Sequence, residues 1–479
     1  MLREDNLEAL QIGLEEDQLV KTYQEAFQLT RELGFQYIWI DALCIIQGNK
    51  DDWEHESQKM GEVYGNAALT IVAARADDSR NGFLQNNFRP VADPYPFAYG
   101  RLDHSGNEIT GLHVGLDREW FEETMKPDPV RTRGWCLQEA ELSRRQLVFG
   151  SSGVSFQCKQ TNIFEDQIYK FYHKRDVLPK GVAAFSTGGR DFPDRLECLN
   201  HWYAEFLPDY TSRLLTNRND IFAAITALAK MAQLTVNGRY LAGLWESDLP
   251  RGLLWMPRYN TRWKVGPSKA EPNLSPLQRL SKSQAPSWSW ASVQGPVQHG
   301  WDNKKRWPPY PYKSREGEFL VRPASEDDTS WTEQKDCDAD VLYMPRCELK
   351  MHGRPRKLRC IGITQEKFMV WWDTEGRRIR QRPDDLPPRA KDAILFESVV
   401  SLRLEDREIS NSWFDQIVAF GVFDVAGERV EEFWALPCTN ALGLILGRND
   451  DGTLHRLGVF HITNLAWFQA GEEELIRLI

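Results

Sequence analysis

A carboxylate four residues behind an indole is the arrangement in this chain best suited to chemistry. Arg133-Gly134-Trp135-Cys136-Leu137-Gln138-Glu139 reads as an irregular segment ended by glycine, then a helix opening on Trp135. Residues i and i+4 share a helix face, so the Trp135 ring and the Glu139 carboxylate stand side by side. A flat ring would receive a ligand ring, the carboxylate would face a developing positive charge, and Arg133 would meet a phosphate bidentately. A second dense stretch, Trp39-Ile40-Asp41-Ala42-Leu43-Cys44-Ile45-Ile46-Gln47, places another carboxylate at the end of an apolar run.

Each residue also has a plainer reading. Glu139 would be favoured near a helix start by the N-terminal dipole, Trp135 would fill a core, and Asp41 would cap its own turn. Glu56 falls on the polar side of its helix. Cys44 and Cys136 would need a histidine to act as nucleophiles, and neither motif contains one; a small buried thiol is the commoner role.

These residues need elements to hold them. Leu19, Tyr23, Ala26, Phe27 and Leu33 recur at helical spacing and Gly34 supplies a stop. Tyr37-Ile38-Trp39-Ile40 suits a buried strand. After a polar turn with Asp51 and Asp52 as caps, a second helix carries Met60, Val63, Tyr64 and Ala67, and Ala68 to Ala73 reads as another strand. Helix, strand, helix, strand at these lengths predicts a parallel α/β sheet, whose ligands gather at carboxyl ends of strands. Asp41 and the loop from Arg75 toward Trp135 lie at such ends.

Residues 85–130 form an excursion with a short hairpin around His113-Val114-Gly115, followed by a strand pair at 146–149 and 154–156. The stretch 196–235 is helical, with Leu199, Trp202 and Phe206 on one stripe and a helix from Asn219 to Ala232. Beyond 240 the chain is rich in Trp, Pro and short alternating runs, with loops at 263–285 and 376–392. The organisation is therefore residues 1–160, an α/β domain; 161–238, a helical connector; and 239–479, a β-rich C-terminal region.

Composition narrows the classes. The chain has 479 residues with 41% hydrophobic and 27% charged residues, globular values that suit two or three domains. The 18 Trp imply buried aromatic clusters or ring-binding surfaces. A formal charge of −10 argues against nucleic acid as partner, and the basic run 354–359 reads as a solvated loop. Eight Cys without ligand spacing fit a reduced protein with no metal site. With no apolar signal core and no run near the ~18 residues that span a bilayer, the expectation is a cytoplasmic protein without a membrane span.

The two motifs, with Glu56-Ser57, Met60, Tyr64 and Ala67 between them and Leu142-Ser143 after them, together resemble the fungal HET (heterokaryon incompatibility) domain. The likeness covers the first third of the chain. Two later stretches, Leu244 to Trp255 and Pro286 to Ser292, look like the region that often follows such domains. Nothing before Leu19 matches the usual opening motif, Ala-Leu-Ser-Tyr-x-Trp-Gly, so the domain reads as truncated or degenerate at its start; Ile46 stands where Asn is usual.

HET domains are remotely similar to TIR domains, flavodoxin-like modules of which some cleave the nicotinamide bond of NAD with a Glu in a Trp-Cys-x-x-Glu-like motif. The resemblance makes Glu139 the catalytic carboxylate, with Asp41, Gln47, Glu56, Arg133 and Trp135 shaping the pocket. NAD is then the substrate and no cofactor is implied. A carboxylate about 4 Å from an oxocarbenium-like charge contributes about 4 kcal/mol at an effective dielectric near 20, on the order of a thousandfold in rate. Two functions follow: cell-death signalling in nonself recognition by NAD glycohydrolysis, or a non-catalytic module that self-associates or binds another death-signalling protein. A lost central strand would leave sheet edges unpaired and favours the second.

Overall fold

The computed structural model describes residues 1–84, 95–96, 113–114, 128–151, 153–158, 161–164, 195–258, 277–280, 285–299, 319–323, 348–360, 371–372, 378–379, 399–403, 417–425, 432–462 and 465–479. These residues fall into two compact units, one holding Met1–Phe192, Arg213–Thr216 and Ala223–Ala232, the other Pro193–Ser212, Asn217–Phe222 and Gln233–Ile479.

The first unit is mixed α/β. Its helix Lys21–Glu32 buries Ala26 and Leu29 and ends where expected. Gly34 takes φ +78°, and the Phe35 and Gly34 amides turn back to the carbonyls of Thr30 and Arg31. Leu33, assigned to the buried stripe from spacing, is 42% exposed because it lies past the last helical turn. The helix Lys50–Asn66 is capped by Asn49, whose side chain accepts from the Asp52 amide at 3.0 Å. Asp51 and Asp52 are not the caps. The helix starts before them, and Asp52 instead accepts from the Ile46 amide at 2.7 Å, tying the Asp41 loop to this helix.

The expected strand at Ala68 to Ala73 is present as Thr70–Val72. It pairs in parallel with Arg145–Gly150, Ile71 opposite Leu147. Arg145–Gly150 then pairs antiparallel with Gly153–Cys158, and that strand with Asn162–Phe164. The sheet therefore contains a parallel pair but is mixed overall. The expectation of a parallel sheet fails at its second half, because a tight Gly150–Gly153 reversal joins adjacent strands that must then run antiparallel. Of the short hairpin expected around His113-Val114-Gly115, His113–Val114 is a strand that pairs antiparallel with Tyr95–Pro96, and Gly115 lies outside the described residues.

Tyr37 to Ile40 joins no ladder among the described residues. Its period-2 pattern still operates: Ile38 and Ile40 pack against the core of Ala26, Leu29, Phe83 and Phe149, while Tyr37 is 89% exposed. Alternation fixed which side chains face inward; it could not supply a partner strand.

The second unit contains the helical run Arg195–His201, Trp202–Phe206 and Leu207–Ser212, with Leu199, Trp202 and Phe206 buried as their stripe requires. The helix expected from Asn219 resolves into the 3-10 turns Arg218–Ile221 and Ala223–Ile225 before the α-helix Thr226–Val236. Trp202, Trp245, Trp255, Trp288 and Trp290 are fully buried. The Trp255 indole donates to the Trp288 carbonyl and Trp290 to that of Gly243, both at 2.9 Å. Gly243 has φ +94°, and a Cβ there would lie 2.4 Å from Trp290 Nε1. The later Trp-rich stretches thus pack on each other as a core.

The β-rich character of this unit has a specific form. Among the described residues, Leu454–Ile462, Ile417–Phe423, Val399–Arg403, Arg356–Cys360, Glu432–Pro437 and Leu442–Arg448 pair antiparallel in that order. Leu442–Arg448 then pairs back to Leu454–Ile462, closing the ring. Closure removes free edges, and Phe433, Ala435, Ile445 and Phe460 share one core cluster. Closure also explains why the basic run at 354–359 is not simply a loop: Arg356–Cys360 is a ring strand with a partner on each side. Within the expected loops, Gln278–Arg279 pairs with Val293–Gln294 and Arg378–Ile379 with Trp371–Trp372; apart from Leu277, Leu280 and Ala285, the rest of those loops lies outside the described residues.

Candidate functional site

The helix Trp135–Leu142 follows the 3-10 turn Pro129–Thr132. At the join, the Gly134 amide donates to the Leu214 carbonyl at 2.8 Å and the Leu214 amide to that of Thr132 at 2.6 Å. A Cβ on Gly134 would lie 2.5 Å from Leu215 Cδ2, so this close approach needs glycine. The helix is held along its length. Gln138 Oε1 accepts from the Ala227 amide at 3.0 Å. Ser143 donates to the Glu139 carbonyl at 2.7 Å and meets the Thr70 hydroxyl at 2.7 Å, which fixes the helix end to the strand Thr70–Val72.

Glu139 is half-buried on this helix. The Tyr64 hydroxyl, from the helix Lys50–Asn66, and the Cys136 thiol both act on its carboxylate. Burial raises the Glu139 pKa and Asp41 raises it further, while Arg133, Cys136 and Tyr64 pull it down. Arg133 sits at the helix entrance with an exposed surface, and its pKa is raised by Cys136, Glu139 and Asp41 against a desolvation cost. Asp41, Arg133 and Glu139 therefore act on one another electrostatically, although the sequence separates Asp41 from the others by about ninety positions.

Asp41 opens the short helix Asp41–Cys44 and its Oδ1 accepts from the Ala42 amide at 2.7 Å, the local capping expected of it. Its second influence runs to Tyr23, whose pKa is raised by burial and by Asp41 and lowered by Arg133. Trp135 is half-buried and meets Trp53 edge-on, with centroids 6.2 Å apart and planes at 89°. Gln47 turns its amide inward to the carbonyls of Ile45 at 2.9 Å and Asp41 at 3.4 Å, so it closes its own turn. Glu56 pairs with Lys59 at 2.9 Å and acts on Cys44; it stands beside the group rather than within it.

The thiols do not suit nucleophilic chemistry. Burial, with Glu139 adding, pushes Cys136 up to about 12, so at neutral pH it is a neutral thiol. Cys44 is also raised, by burial and then by Asp41 and Glu56.

The structure thus gathers Asp41, Arg133 and Glu139, places Trp135 on the same helix, and leaves Gln47 and Glu56 at the side. Sequence reasoning missed Tyr23 and Tyr64. Both lie on helical stripes whose other members are apolar, which hides the hydroxyl from a pattern of spacing. A tyrosine at the site end of such a stripe is the signal that would have found them, since a buried Tyr usually finds a polar partner.

Residues 2–139 match the family model described as Heterokaryon incompatibility protein (HET), and the match ends on Glu139. No curated protein and no solved structure matches the chain. The match supports a heterokaryon-incompatibility-type function. Among the described residues no helix is long and apolar enough to cross a membrane.

Proposed function

We propose that the N-terminal unit hydrolyses NAD at its nicotinamide–ribose bond, with Glu139 as the catalytic carboxylate, and so signals cell death in nonself recognition. The observation that carries this reading is the Glu139 carboxyl itself. It is partly open to solvent, raised in pKa by burial and by Asp41, and drawn toward its charged form by the guanidinium of Arg133. A carboxylate on an ordinary solvated helix face meets neither the burial nor the opposing charges.

In this mechanism the pyrophosphate of NAD meets the exposed Arg133 and one ring rests near Trp135. The C–N bond to nicotinamide breaks, its electron pair leaving with nicotinamide, and the positive charge left on the ribose faces the ionised Glu139. Water adds to that carbon and releases a proton, giving ADP-ribose. Because burial raises the Glu139 pKa, the ionised fraction and the rate rise with pH through its midpoint.

A second reading has its own observation. Tyr37 to Ile40 is unpaired among the described residues and Tyr37 is 89% exposed, which suits strand addition by another chain. A non-catalytic module that self-associates or binds a death-signalling partner would use such an edge. Incubating the purified protein with NAD and following free nicotinamide decides between them. Steady release supports the hydrolase; NAD left intact over hours at micromolar protein removes it.

A further inference from the structure

The family match ends on Glu139, yet the helix carrying that residue is held by chain from well beyond it. Two later segments, Arg213–Thr216 and Ala223–Ala232, belong to the N-terminal unit, although the residues flanking each belong to the other unit. The first runs alongside Arg133. Leu214 makes a parallel bridge with it, accepting from the Gly134 amide at 2.8 Å and donating to the Thr132 carbonyl at 2.6 Å. Arg213 Nη1 adds a longer bond to the Arg133 carbonyl at 3.4 Å. Leu215 then fills the space that a side chain on Gly134 would need, with its Cδ2 2.5 Å and its Cγ 2.9 Å from the place of a Cβ. The second segment holds the helix further along, through the Ala227 amide and Gln138.

We propose that Arg213–Thr216 is a strap that positions Arg133 for its anionic ligand, by fixing the backbone on both sides of that residue. A helix of eight residues is marginal alone, and Gly134 has no side chain with which to cap its start. The strap takes that place at residues 132–134. Gln138 and Ser143 anchor the Glu139 end without it. Arg133 is exposed, so the backbone beneath it sets where its side chain starts. The binding half of the site therefore depends on chain that the matched residues 2–139 do not contain, and the half that carries the charge does not depend on the strap.

The inference rests on the hydrolase reading for the identity of the anion, the pyrophosphate of NAD; the strap is testable without it. Gly134→Val drives a side chain into Leu215 and lifts the strap, and adding Leu215→Ala restores the volume and reseats it. Hydrogen exchange of the amides at positions 134 and 214, followed by NMR on the full chain, speeds up in the single variant and slows again in the double. In an active enzyme the KM for NAD rises about tenfold or more in the single variant, the scale of one lost charged hydrogen bond. It falls back in the double, and kcat stays near wild type in both. Unchanged exchange in Gly134→Val, or no return in the double variant, overturns the strap. Faster exchange with KM unmoved, or with kcat falling at steady KM, overturns its role toward Arg133. A wild type that leaves NAD intact sinks the hydrolase, and exchange with its rescue then decides the strap. Should Gly134→Val not fold, Arg213→Met takes its place by removing the bond onto the Arg133 carbonyl, and unmoved exchange at position 214 overturns the proposal.

Discussion

Replacing Arg456 by Met should destabilise the C-terminal unit far more than any surface change. Arg456 is fully buried, as is its partner Asp424. Its Nε and Nη2 donate to the two Asp424 oxygens, each at 2.8 Å, a bidentate fork. The same guanidinium donates to the carbonyls of Leu253 and Trp255 and lies 3.5 Å from the centre of the Trp255 ring. Met fills much of the volume but leaves Asp424 charged in the interior, with Arg279 at 3.9 Å as its remaining cation. Breaking one side of a buried pair costs about 3–5 kcal/mol, a large part of the roughly 5–15 kcal/mol that holds a domain folded. Replacing both members, Arg456→Met with Asp424→Leu, removes the orphaned charge and should cost less than the Met substitution alone. Urea denaturation followed by tryptophan fluorescence reads this directly, because the five fully buried Trp lie in this unit. A single-variant loss below about 1 kcal/mol, or a double variant whose loss is the sum of the singles, would refute the reasoning.

Other outcomes follow from particular residues. Burial raises Asp248 from 3.8 to about 7 despite Arg251 at 3.3 Å. The native state therefore binds the proton more tightly than the unfolded chain, and stability falls as pH rises from about 4 to 7. Asp248→Asn should melt above wild type at pH 8 and lose that advantage toward pH 4; a constant difference across the range would contradict this. Thiol labelling of native protein should modify exposed Cys44 well before buried Cys136, read by peptide mass spectrometry, since Cys136 is held near 12. Gly82→Ala should destabilise the N-terminal unit by about 1–3 kcal/mol in thermal melts, because Gly82 has φ +73° and a Cβ would lie 2.6 Å from the buried Glu25 carboxylate. A neutral Gly82→Ala would mean that the Phe83 and Leu84 amides do not depend on Glu25.

Local signals in the sequence carried a good deal of this structure. The Gly34 stop, the Thr70–Val72 strand and the Leu199, Trp202, Phe206 stripe depend on residues within a few positions of one another, where spacing is informative. The placement of Trp135 and Glu139 on one helix directly after Arg133 was readable for the same reason. What failed was long-range. Closure of the C-terminal ring joins Arg356–Cys360 to Val399–Arg403 and Glu432–Pro437, and no periodicity within a strand names its partner. The antiparallel turn at Gly150 to Gly153 was visible as a strand pair, but the mixed sheet it produces depends on the distant partner Thr70–Val72 that Arg145–Gly150 takes on its other side. At the site, Tyr64 was legible as a helix position and illegible as a neighbour of Glu139, since that depends on a helix that begins at Trp135.

Nicotinamide release from NAD, measured side by side for wild type and Glu139→Gln at equal concentration, tests the central claim most directly. The substitution keeps the side-chain shape and removes the charge. With the charge–charge attraction worth about 4 kcal/mol at ~4 Å, the variant should release nicotinamide on the order of a thousandfold more slowly, with no rise in rate as pH increases. Equal release from both proteins would take Glu139 out of the reaction and contradict the account.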